Sequence, residues 1–238
     1  MVDGSLAVVR RVGTSGYTYF WNPGKPSPFR WYLSRGFKTV EINASFYRFP
    51  QRSWINAWLK DSPADFDFSI KVHQSITHRS KLGPAAPKLW EKFSRTLKPM
   101  KDKITFYLFQ FPSYFKPTRE NVLRIKSFVK DMSLENVAVF EFRHPGWWQL
   151  TNEIASCGGI FCSVDAPGLP KEIVVSNDTI YLRMHGRTEW YAYCYTNEEL
   201  LEAAGRLMKS WAERIYVYFN NDHGMLENAL QMKKLING

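Results

Sequence analysis

Short runs of β-branched and aromatic residues recur along this chain, and between them apolar positions fall three and four apart. Residues 7–12, 37–43, 67–72, 104–111, 137–143, 160–165, 179–185 and 214–220 read as strands, because they alternate or run apolar over strand-like lengths. The intervening stretches read as helices. One spans 29–35 and is closed by Gly36, a residue suited to the turn beyond a helix end. Another spans 52–60, with Trp54 and Trp58 four apart on one face. A third covers 87–97, carrying Leu89, Trp90, Phe93 and Leu97 at helical spacing. Thr118 opens a fourth, with Val122, Ile125, Phe128 and Val129 as its buried stripe. Thr196 and Glu199 form a capping box ahead of Leu200, Leu201, Ala204, Leu207, Met208 and Trp211. A last helix runs to the end.

Between Asp165 and Thr179 only thirteen residues intervene, and Pro167, Gly168 and Pro170 are among them. That barely meets the minimum for a parallel crossover and predicts an irregular connection without a full helix. Eight strands alternating with helices at a mean spacing of roughly thirty residues predict a parallel α/β protein. A TIM-barrel-like (β/α)8 closed barrel fits better than an open sheet, with residues 1–238 forming one domain.

In a strand, alternate side chains share a face, so Thr39, Glu41 and Asn43 point one way and Val40 and Ile42 the other. Barrel enzymes bind ligands at the C-terminal ends of their strands. There this chain delivers Gly13 and Ser15, Glu41 and Asn43, Lys71, Gln110, Glu141 and Arg143, Asp165, Arg183 and His185, Asn220 and Asn221. Ion pairs such as Glu41 with Lys71 or Glu141 with Arg183 would fill an upper barrel layer. So many polar ends on one face exceed what packing alone calls for, and predict a functional site.

Composition narrows the class. With 238 residues and 45% hydrophobic content the chain can bury a full core. Residues 1–7 lack the basic start and apolar stretch of a signal peptide, and no apolar run approaches the ~20 residues of a membrane helix. A cytoplasmic protein with no membrane association is expected. Cys157, Cys162 and Cys194 lack the paired spacing of zinc sites and the density of a disulfide scaffold. The net charge of +10, from 32 Lys and Arg against 22 Asp and Glu, favours anionic partners such as nucleic acid or phosphorylated small molecules.

Several motifs carry a family resemblance: Gly13-Thr14-Ser15-Gly16-Tyr17, Val40-Glu41-Ile42-Asn43-Ala44-Ser45-Phe46-Tyr47, Ile76-Thr77-His78, Gln110-Phe111-Pro112, Glu141-Phe142-Arg143-His144-Pro145, Arg183-Met184-His185-Gly186-Arg187 and Phe219-Asn220-Asn221-Asp222. In this order, across almost the whole chain, they resemble the Domain of Unknown Function 72 family, also called YecE-like. Tyr17 stands where that family often has Trp, Met184 where it often has Leu, and Gly146 where it often has Ser, which removes a hydroxyl. The resemblance implies a TIM-barrel-like fold and no assigned reaction. Its likeness in fold to metal-dependent barrels such as endonuclease IV is analogy at the level of fold.

The charges at the strand ends point to a chemistry. Glu41, Glu141 and Asp165 are opposed by Lys71, Arg143 and Arg183, a balance hostile to a cluster of divalent cations. A single divalent metal on Glu141, Asp165 and His185 is one option, and no cofactor is otherwise indicated. The mixture better suits an anionic small-molecule or nucleic-acid substrate, bound through Arg143, Arg183 and Lys71, with Glu41 or Glu141 as general base and His185 as acid. Ser15, Tyr17, Asn43, Tyr47, Asp165, Asn220 and Asn221 complete the expected binding residues. Loop aromatics, including Tyr19, Trp21, Phe46, Trp147, Trp148, Trp190, Tyr191 and Tyr193, offer flat faces for bases or sugars. The primary expectation is therefore a hydrolase-like enzyme acting on a phosphate-bearing or nucleic-acid substrate. The alternatives are a non-catalytic nucleic-acid binding module and a glycosidase-like enzyme using Glu41 and Glu141 as its paired carboxylates.

Overall fold

The computed structural model describes residues 8–238. Eight parallel strands follow the chain: β1 (Val9–Thr14), β2 (Thr39–Ile42), β3 (Asp67–Lys71), β4 (Ile104–Gln110), β5 (Ala138–Glu141), β6 (Ile160–Asp165), β7 (Thr179–Met184) and β8 (Arg214–Phe219). Neighbours pair in the order β1-β8-β7-β6-β5-β4-β3-β2. Helices α1 (Pro28–Ser34), α2 (Ala44–Tyr47), α3 (Arg52–Asp61), α4 (Ala86–Leu97), α5 (Arg119–Asp131), α6 (Thr151–Ala155), α7 (Asn197–Met208) and α8 (Met225–Asn237) lie in the connections. The result is a nearly closed (β/α)8 barrel. The expected strand ends shift by a few residues: Ala7 lies outside the described residues, β1 runs on to Thr14, and β5 stops at Glu141 where a 3-10 turn (Pro145–Leu150) draws the chain away.

Local chemistry explains the helix starts. Thr118 accepts a hydrogen bond from the Asn121 N–H, and the Thr196–Glu199 capping box forms in both directions, satisfying amides that the first helical turn leaves free. Between β6 and β7 there is no helix. Ser163 Oγ accepts from Val174 N at 2.9 Å and Ser176 Oγ from Phe161 N at 3.1 Å, so one serine on β6 and one in the link pin the irregular link against the sheet. A single π turn, Ser75–Arg79, follows β3; such turns recur at functional sites.

The ladder is missing only between β1 and β2, where a lone bridge joins Ser15 to Glu41. The Tyr32 hydroxyl stitches that seam. It donates to Thr39 O at 2.9 Å and accepts from Thr14 N at 3.1 Å, supplying partners that a continuous ladder would otherwise have given.

Outside the barrel wall, Phe109, Phe140, Trp90 and Phe128 pack strands against helices. Inside, the side chains are unusually polar. Thr39 Oγ1 meets Tyr218 OH at 2.7 Å, and Ser69 Oγ meets Tyr181 OH at 2.7 Å. These buried hydroxyls satisfy one another, which keeps a polar interior from being destabilising. They also form the floor on which the charged upper layer rests.

Candidate functional site at the barrel mouth

Strand alternation decides which residues meet at the mouth. Thr39 and Glu41 on β2, Ser69 on β3, Tyr181 and Arg183 on β7 with His185 just beyond, and Tyr218 on β8 with Asn220 beyond face inward, as their mutual contacts show, and Lys71 shares the parity of Ser69 on β3.

Arg183 is the hub. Fully buried, its Nη2 donates to Glu41 Oε1 at 2.7 Å while its Nη1 bonds Glu141 Oε2. Glu41 also accepts from Ser15 Oγ at 2.7 Å and, on its other oxygen, from Tyr181 OH at 2.7 Å. Glu141 Oε1 lies 2.6 Å from Arg143 Nη2 and 3.5 Å from His185 Nε2. Burial alone would raise the Glu141 carboxyl, but Arg143 and Arg183 override it and hold the group well below the usual carboxylate range. Glu141 therefore stays ionised at neutral pH.

His185 is fully buried beside the same charges, with Nδ1 3.3 Å from Asn220 Nδ2. Burial, reinforced by Arg143 and Arg183, pushes its pKa down to about 3, so the imidazole is neutral. This shapes acid stability. Its unfolded value near 6.5 exceeds the folded one, so the unfolded chain binds the extra proton and stability is lost as pH falls from about 6.5 toward 3. Glu141, whose folded pKa is also depressed, loses its contribution in the same direction. We expect denaturation midpoints measured from pH 8 down to pH 4 to fall more steeply for the wild type than for His185→Gln; parallel curves would show that His185 does not carry this term.

Two cations stand nearer the opening. Arg143, its side chain 13% exposed, lies over the Trp190 ring with Cζ 4.1 Å from the centroid, and donates to Tyr191 OH at 3.3 Å. Lys71 is half-buried, with Nζ 4.5 Å from the Phe46 ring centroid. The expected Glu41–Lys71 pair is not made, because Arg183 takes Glu41 instead. No carboxylate among the described residues lies within 4.0 Å of Lys71 Nζ. Burial and the nearby Arg183 lower its pKa to about 7, against the pull of Glu141 and Glu41.

The loop after β7 brings Trp190 and Tyr191 over this cluster through a turn that requires glycine. Gly186 has φ +121°, and a Cβ there would lie 2.3 Å from Glu189 O. Tyr191 itself sits at φ +69° while its N–H donates to His185 O at 2.8 Å.

Other expected site residues lie elsewhere. Asp165 shares its face with Phe161 and Ser163, which point out toward the helices and the β6–β7 link, and it pairs with Arg187 at 3.2 Å. The set Glu141, Asp165 and His185 is thus not assembled, and among the described residues no group of three His, Cys, Asp or Glu is placed to hold a metal ion. Asn221 holds the β7 loop, donating to Tyr193 O and Asn228 Oδ1, each at 2.8 Å. Tyr17 packs on Phe29 and Tyr32 and accepts from Trp58 Nε1 at 2.7 Å. Asn43, with Oδ1 unpartnered, opens onto a cleft of about 540 Å³ beside the mouth, walled by Ser15, Tyr19, Trp54 and Trp58. Tyr47 is exposed on α2, and Trp147 and Trp148 belong to the core. One residue that the expectations omit is Tyr181, although it shares the alternation of Arg183 and His185.

A paired-carboxylate glycosidase needs one carboxyl protonated at working pH. Glu141 is ionised, and both glutamates grip the same guanidinium. What the mouth can do is hold an anion near Arg143 and exchange a proton at Lys71.

Comparison with known proteins agrees with this architecture. The sequence model of the family described as "Protein of unknown function DUF72" matches residues 11–238. The chain is 27% identical over 240 residues to UPF0759 protein YunF of Bacillus subtilis, covering 85% of this chain and 84% of that protein. The crystal structure of a DUF72 family protein from Thermotoga maritima superposes with a TM-score of 0.86 at 29% identity, covering 97% of this chain and all of that one. A DUF72 family protein from Enterococcus faecalis, at 22% identity, shares the fold with a TM-score of 0.85 over 97% of this chain and 96% of its own.

Proposed function

Because the chain belongs to the DUF72 family, whose members share a fold and no stated activity, its chemistry has to be read from its own side chains, and we propose that it is an enzyme acting on a phosphate-bearing substrate at the C-terminal mouth of the barrel. One observation carries this reading: above a buried, charge-compensated network stand two cations, Arg143 and Lys71, each against an aromatic ring and each with access to the opening. Arg143 is held in orientation by Glu141 and Trp190, and a fixed guanidinium is suited to a phosphate oxygen. Lys71 titrates near neutral pH, which suits a group that takes and returns a proton. Glu141 acts as a positioning residue that fixes Arg143, while Glu41, Arg183 and His185 complete the charge-compensated layer beneath the two cations.

Inorganic phosphate and simple phosphomonoesters, titrated at low salt, test the reading. Phosphate is expected to raise the melting temperature of the wild type. Loss of charge-assisted hydrogen bonds worth about 1.5–3 kcal/mol predicts that Arg143→Met weakens binding by roughly 10- to 150-fold. No thermal shift even at high millimolar phosphate, or equal affinity in the variant, would sink the proposal. Tight oligonucleotide binding that falls steeply with salt and leaves the oligonucleotide intact would replace it with a binding module.

A further inference from the structure

We propose that Lys71 is a nucleophile which forms an imine with a phosphorylated aldehyde or ketone; this rests on the phosphate-binding reading above and names its substrate class. The geometry is specific. Lys71 closes β3 with its side chain directed into the barrel, one step above Ser69, whose hydroxyl is bonded to Tyr181. Its backbone is fixed, since Ser45 Oγ donates to Lys71 O at 2.6 Å. Its amine rests on the Phe46 face, and that ring is itself packed edge to face with His78 at a centroid distance of 4.9 Å.

The groups surrounding the amine are Arg183 on β7, Arg143 after β5, Glu141 on β5, Glu41 on β2 and His78 in the π turn. Both glutamates are bound to arginines, and His78 is held neutral, its pKa lowered to about 4 by burial with Lys71 and Arg143 adding to the effect. The lysine is thus a half-buried amine beside two fixed cations and without a carboxylate of its own. Such surroundings favour the neutral, nucleophilic form. Arg143 stands ready for a phosphate attached to the same substrate.

The step balances without a further reagent. The Nζ lone pair forms a bond to the carbonyl carbon as the C=O π pair moves onto oxygen. One proton passes from nitrogen to that oxygen to give the carbinolamine, and its hydroxyl then takes the second nitrogen proton and leaves as water as the nitrogen lone pair forms the carbon–nitrogen double bond. The imine then withdraws electrons from the adjacent carbon.

Reductive trapping on the full chain tests this. Glyceraldehyde 3-phosphate and glyceraldehyde are incubated separately at pH 7 with cyanoborohydride, which delivers hydride to the imine carbon and leaves a stable secondary amine that peptide mapping locates. An amine titrating near 7 is about half neutral at that pH, whereas an ordinary lysine is neutral in only about 0.04% of molecules. Lys71 should therefore be labelled at least roughly tenfold faster than other lysines, and faster by the phosphorylated probe. Lys71→Met should lose the label, and Arg143→Met should still be labelled at Lys71, more slowly because one of the two cations that favour the neutral amine is gone, while losing the preference for phosphate. Labels spread evenly over surface lysines, or none at Lys71, would overturn the imine. If Lys71 stays unlabelled while phosphate still shifts the melting temperature through Arg143, only the imine falls. Labelling at Lys71 with no preference for the phosphorylated probe would sustain the imine and count against the phosphate site.

Discussion

Arg183→Met is expected to destabilise the protein by about 3–5 kcal/mol, since removing one partner of a buried ion pair strands the other charge. Here two charges are stranded. Glu41 and Glu141 are both fully buried, and each is bonded to one arm of the same guanidinium. Ser15 and Tyr181 still donate to Glu41, and Arg143 still faces Glu141, so the lower part of that range is the floor. For a chain of this length the loss corresponds to a fall of roughly 6–20 °C in melting temperature. Adding Glu41→Gln and Glu141→Gln removes the stranded charges and should recover much of the loss. Calorimetry of the single and triple variants decides it. A triple variant no more stable than the single would mean that the Arg183 stem, packing in the barrel, supplies the stability and that its charge does not.

The strand count, the parallel order and the irregular β6–β7 link are all legible in the sequence because each rests on local periodicity and turn chemistry. The site is legible only as far as parity is followed. Position at a strand end puts Asp165 among the ligands; parity with Phe161 and Ser163 turns it outward to Arg187. The same parity, applied to β7, adds Tyr181 to Arg183 and His185. Asn220 and Asn221 are adjacent, so they point apart, one to His185 and the other to the loop carbonyl of Tyr193. What periodicity does not contain is the partner across the barrel. Arg183 could have paired with Glu141 alone, leaving Glu41 to Lys71. That it spans both glutamates, and so frees Lys71 of a counter-ion, depends on the stagger between β2, β5 and β7, which is a property of the closed sheet. The Tyr32 bridge across the β1–β2 seam is likewise a long-range contact with no local signal.

Trp147 and Trp190 separate structure from binding, and the variants should behave oppositely. Both tryptophans sit in loops beyond strand ends, where sequence alone offers either as a stacking platform. Trp147 is fully buried, stacked between Phe142 at 4.1 Å and Phe115 at 5.5 Å between ring centroids, and its Nε1 donates to Phe115 O at 2.8 Å. Trp147→Ala removes that packing and strands a buried carbonyl, an expected cost of about 3–5 kcal/mol, or roughly 6–20 °C in melting temperature. Below its melting temperature the variant should still bind phosphate. Trp190 is only partly buried and lies on Arg143. Removing it forfeits a cation–π contact worth about 0.5–2 kcal/mol, so Trp190→Ala should melt near the wild type yet bind phosphate more weakly, because Arg143 loses the ring that orients it. A Trp190→Ala variant with unchanged affinity would take the Trp190 ring out of the site and leave Glu141 and Tyr191 to aim the guanidinium.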